Sequence, residues 1–184
     1  MATFQKDGLW IQGGSGALAN VDETTPFVPG QLGRVMSVRS TDGKVPRFYQ
    51  YVVRYATETN ATPSAGLVAY WQDLDDFVIT ADSATAIGGT TNPIVAGVFL
   101  GTAPSAGKYG FIQVGGIATA AVTGTANAGD LLVPSASTFQ QLAALTAIDT
   151  PAVQVPSVGI NLALIETSTN STNSVHLRVI RNGW

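Results

Sequence analysis

The sequence predicts a mainly-β fold, a small β-barrel or sandwich of short strands with an extended N-terminal arm. Three observations carry that expectation. Apolar and polar residues alternate with period two in several short runs. Gly, Pro, Asn, Asp and Ser bound those runs, and so many short strands must close on one another to bury a common face. The first thirty residues follow neither pattern, because Gly13-Gly14-Ser15-Gly16, Pro26 and Pro29 break them up and no periodicity is sustained.

Residues 1–30 therefore read as the arm and residues 31–184 as one β-rich domain. Four large apolar residues of the arm, Phe4, Leu9, Trp10 and Ile11, cannot form a core alone. They are the candidate partner-binding residues, docking on the parent domain or on another chain. In the domain the clearest strand is Phe48–Tyr55, which puts Tyr49, Tyr51, Val53 and Tyr55 on a face expected to be buried. Its tyrosine hydroxyls then need hydrogen-bond partners. Further strands are expected at Leu67–Trp71, Phe77–Thr80, Ile94–Leu100, Tyr109–Val114, Ile117–Val122, Leu131–Val133 and Ile160–Glu166, with a turn or hinge at Gly115-Gly116. Phe139–Ile148 fits either a helix capped by Ser137 or Thr138, or the second arm of a hairpin begun by Leu131–Val133. Ser174–Ile180 reads as a closing strand with Val175, Leu177 and Val179 inward and His176 and Arg178 outward.

Charged residues make up 11% of the chain, against about 25% in an average soluble protein. A surface with few ions loses little hydration when it meets a partner, which favours broad protein contact. The net charge is −3 and the nine Lys and Arg are too dispersed to neutralise a phosphate backbone, so nucleic acid is not an expected partner. No apolar run approaches the ~20 residues of a membrane span, and Met1–Gly8 lacks a basic-then-apolar leader. The protein is expected to be soluble where it is made, with no membrane partner. The absence of cysteine excludes disulfides, thiolate metal sites and Cys nucleophiles, and makes intracellular assembly easier to expect than secretion.

Residues able to carry chemistry are sparse. His176 is the sole histidine, and no Gly-x-Ser-x-Gly turn exposes a nucleophile for it to activate. Asp73-Leu74-Asp75-Asp76 is the best cation or acid–base candidate, but it lacks the glycine and distal glutamate of an EF-hand loop and reads better as a solvated turn. Gly13–Gly16 and Gly115-Gly116 have neither the spacing nor the following lysine of a phosphate loop. Asn60-Ala61-Thr62 and Asn170-Ser171-Thr172 match the glycosylation pattern without a secretion signal beside it. The protein is expected to be non-enzymatic, with no catalytic residue, cofactor, metal ion or small-molecule substrate.

The runs Gly107–Val122, Ala128–Ser135 and Val158–Leu164, in that order, resemble the head decoration or capsid cement proteins of tailed bacteriophages. Ile94–Gly101 also looks like the preceding strand of that family, and Val175–Ile180 is similar to its closing strand. The resemblance covers residues 94–180, about half of the chain. It implies a small barrel over that stretch and a virion structural protein, made in the host cytoplasm and placed on the outer capsid surface. It further implies binding to the major capsid protein of the mature shell, commonly as a homotrimer, with capsid stabilisation by bridging neighbouring subunits. The rival expectation is a phage fibre or other virion component that binds a receptor or glycan, with Trp10, Trp71 and Trp184 as its surface aromatics. An enzyme built on Asp73–Asp76 is a second rival, supported by little beyond the carboxylates.

Overall fold

The computed structural model of the protein describes residues 3–6, 9–12, 32–39, 46–58, 63–90, 93–101, 103–124, 131–135, 141–144, 162–165 and 172–178. Apart from a 3-10 turn at Ser83–Thr85, the regular elements among them are strands, so the fold is mainly β as the alternation requires. Strands β1 (Thr3–Lys6) and β2 (Leu9–Gln12) pair antiparallel in a sheet of their own. They occupy part of the expected arm, whose residues 13–30 lie outside the described residues.

The other strands are β3 (Val35–Arg39), β4 (Pro46–Arg54), β5 (Val68–Asp73), β6 (Val78–Thr80), β7 (Val95–Phe99) and β8 (Tyr109–Thr123). They are followed by β9 (Leu131–Pro134), β10 (Leu142–Ala144), β11 (Leu162–Ile165) and β12 (Thr172–Arg178). Together they make one sheet in the order β10-β9-β11-β12-β8-β7-β5-β6-β4-β3. That sheet closes on itself: β8 pairs with β7, β7 with β5, β5 with β6, β6 with β4, and β4 again with β8. The result is a closed five-stranded barrel. One core cluster draws Val52, Trp71, Ile79, Phe99 and Ile112 from all five strands, which only the inside of a closed ring permits.

Alternation then fixes what the outer wall carries. Tyr49, Tyr51 and Phe111 point away from the barrel interior, and Met36 and Val38 of β3 pack with them. Rings of Tyr51 and Phe111 lie 4.9 Å apart between centroids. Strand β4 is thus buried on both faces, where period-two reading foresaw one, because β6 and β8 roll it into a ring. Val53 and Tyr55 are only partly covered, since β4 by then has left β3 and taken β6 as its neighbour. Elsewhere on the wall, Val68, Tyr70 and Val98 pack against Ala118, Val122, Leu132, Leu142 and Leu177.

The expected hinge at Gly115-Gly116 is instead a bend inside one continuous strand of fifteen residues. Gly116 adopts φ +81°, and a Cβ there would lie 2.4 Å from the carbonyl oxygen of Pro46. Only glycine fits. The buried Gln113 holds the bend by donating Nε2 to the carbonyls of Gly115 at 3.0 Å and Ile117 at 2.9 Å. Before the bend β8 pairs with β4 and β7, and beyond it with β12 and β10. Pairings of β12 with β11, β11 with β9, and β9 with β10 complete a second cycle back to β8. The stretch 94–180 therefore holds the second cycle whole and gives β7 and β8 to the barrel. Within Phe139–Ile148 the hairpin reading holds for Leu142–Ala144, which pairs antiparallel with β9. Leu177 is buried as an inward residue should be.

Candidate functional site

The best-held charged groups sit where β4 ends. Arg54 donates from Nε to Glu58 and from Nη1 to the Pro104 carbonyl at 2.8 Å. The second Glu58 oxygen accepts from Thr80 Oγ1 at 3.0 Å and from the Ala81 amide at 2.7 Å. Nearby, Asp82 caps the 3-10 turn by accepting from the Ala84 amide at 2.9 Å. The Glu58 side chain is 1% exposed and that of Arg54 10%. Three bonds thus reach the carboxylate, at least one on each oxygen, with the guanidinium as its counter-charge. The group works as a clip joining the segment after β4, the loop before β8 and the end of β6.

The aspartate cluster forms the turn between β5 and β6. Asp73 Oδ1 accepts from the amides of Asp75 at 2.8 Å and Asp76 at 3.2 Å, so that carboxylate serves the turn itself. Leu74, Asp75 and Asp76 are exposed. Among the described residues no group of three or more His, Cys, Asp or Glu is placed to hold a metal ion. The turn ends at Phe77, a non-glycine residue at φ +54°. The Phe77 ring lies against Gly33 so closely that a Cβ on Gly33 would sit 2.2 Å from it. This contact sets the acidic turn beside the start of β3.

Three large hydrophobic side chains are exposed among the described residues: Val35 at 49%, Leu74 at 40% and Phe48 at 37%. Register pairs Val35 with Gln50 and Ser37 with Phe48, so Val35, Ser37 and Phe48 share one face of the β3–β4 hairpin. On the opposite face Met36, Val38 and Tyr49 are buried. Strand β3 ends the sheet order, and among the described residues its one strand neighbour is β4. Sequence reasoning missed this surface. Alternation sets Phe48 opposite the buried tyrosine face, but Val35 lies in a run too short to register as a strand, so the surface the two share is not visible until the register is known.

Of the four arm candidates, Phe4 pairs with Ile11, Gln5 with Trp10 and Lys6 with Leu9. The backbone thus places Phe4, Leu9 and Ile11 on one face of the hairpin and Trp10 on the other. His176 stands opposite Leu164 on one side and Ile117 on the other. Trp71 is not a surface aromatic: it is buried in the barrel interior, where its strand's alternation aims it inward. Fold and surfaces together define a small β-barrel protein with Val35, Phe48 and Leu74 exposed and an acidic turn at Asp73–Asp76. No protein-family model matches the chain, and no curated protein matches it either.

Proposed function

We propose that the protein is a capsid decoration protein that binds the outer surface of a mature phage shell as a homotrimer, bridges major capsid subunits and stabilises them. The observation that carries this reading is the succession of strands over residues 94–180, the stretch in which the sequence resembles capsid cement proteins. Low charge supports it, because a surface with few ions is readily desolvated over a wide contact. The mechanism is linkage: a ligand of the assembled lattice alone stabilises it by RT ln(1 + [L]/Kd), about 2.7 kcal/mol per site at a hundredfold excess over Kd. No chemical step is required. The fibre or glycan reading loses Trp71, one of its three aromatics, to the barrel core.

Co-sedimentation of the purified protein with expanded empty capsids, and with unexpanded ones as control, tests the reading. Saturable binding to the expanded shell, together with a raised capsid melting temperature, is the expected outcome. Absence of binding to either shell would overturn it. Binding to a glycan array in its place would move the protein to the rival class.

A further inference from the structure

Strand β3 lies outside the ring that closes the barrel. That ring runs β8-β7-β5-β6-β4 and back to β8, and β3 joins it by pairing Val35–Arg39 with Pro46–Gln50 of β4. Among the described residues no other strand pairs with β3. Withdrawal of β3 therefore breaks no pairing of the ring, whereas withdrawal of any ring strand opens it. It would free one edge of β4 and uncover Tyr49, which packs with Met36 and Val38.

The start of β3 is fastened at one place. Gly33 donates its amide to the Tyr51 carbonyl at 2.8 Å and accepts from Gln50 Nε2 at 2.8 Å. The Tyr51 amide donates to the Arg34 carbonyl at 3.1 Å. Over Gly33 lies the Phe77 ring, in the space a Cβ would need. Phe77 reaches it from the β5–β6 turn, half-buried against the barrel core, with its backbone at φ +54°. Residues with a Cβ seldom take that conformation, and a bulky one persists in it only where its surroundings over-determine it. Such strain gathers at parts that switch.

We infer that β3 is a releasable edge strand and that the Phe77 ring is its latch. When the ring leaves Gly33, the Phe77 backbone is free to relax, which offsets part of the cost of opening. Residues 33–39 then come off β4 while the five-stranded ring stays shut. The device needs no capsid. It gives the protein a closed state and an open one in which Pro46–Gln50 present an unpaired edge.

Native-state hydrogen exchange on the full-length protein, followed by NMR at rising sub-denaturing urea, tests it. In the wild type the Tyr51 amide is expected to exchange through a local opening almost independent of urea. The amides of Arg54, Tyr55 and Phe99, bonded within and beside the ring, should need an opening that depends on urea steeply. Phe77→Ala removes the latch and Gly33→Ala blocks its seat. Each should speed exchange at Tyr51 about tenfold or more relative to those ring amides. Exchange of Tyr51 through the same steep opening as the ring would overturn the inference. Variants that speed Tyr51 and ring amides equally, or leave Tyr51 unchanged, would overturn it too. Where a variant does not fold, the urea dependence of the wild type decides.

Discussion

Glu58 lies nearly dry, held by Arg54, the Thr80 hydroxyl and the Ala81 amide. Removing one member of such a group costs more than the group contributes, because the remaining charge stays buried. Glu58→Gln is expected to lower stability by about 3–5 kcal/mol, read as a shift in the urea midpoint. Pairing it with Arg54→Met should recover much of that loss, as the unpaired guanidinium is gone. Nothing in the sequence announces this clip. The i, i+4 spacing of Arg54 and Glu58 resembles a helical pair, and the partners Thr80 and Ala81 arrive only when β6 folds alongside β4. Asp73 is the opposite case: its bonds reach only two and three residues ahead, so a turn was legible from local chemistry.

At the scale of elements, strands bounded by turn residues were legible and their neighbours were not. Leu67–Trp71 and Ile94–Leu100 correspond to β5 and β7 within a residue or two at each end. Two glycines in succession look like a turn, yet Gly115-Gly116 lies inside β8, which pairs with β4 and β7 up to Gly115 and with β12 and β10 beyond it while remaining one strand. Pairing partners distant in sequence decide between those outcomes, and local composition does not record them. Gly116→Ala is expected to destabilise the protein by about 1–3 kcal/mol, since its Cβ would meet Pro46 backbone in a left-handed conformation. Thermal melts should show the loss. Gly124→Ala, also at positive φ but with nothing within 4 Å of the added carbon, should cost less.

For the whole molecule, closure of the sheet followed from so many short strands, whereas the exposed surface could not be read until register was known. Phe4, Leu9, Trp10 and Ile11 stand out in the sequence as apolar residues outside a periodic run, while Val35, Phe48 and Leu74 lie inside strands and turns that look ordinary. The sharing of β8 by the barrel and by the second cycle also makes a prediction. Neither unit can lose β8 without opening the other, so unfolding is expected as one transition with equal calorimetric and van't Hoff enthalpies. Two resolved transitions would show that the halves melt independently.

The same strand bears on how the chain is made. Synthesis runs from the N-terminus, so β4 to β7 leave the ribosome before the strand that seals them, and β4 and β7 wait with their β8-facing backbone groups unpaired. Until residues 109–123 emerge, the nascent chain is an unsealed sheet that any neighbouring strand could join. Arrival of β8 therefore marks the point in translation at which the five-stranded barrel can close, while the far half of β8 still awaits β10 and β12.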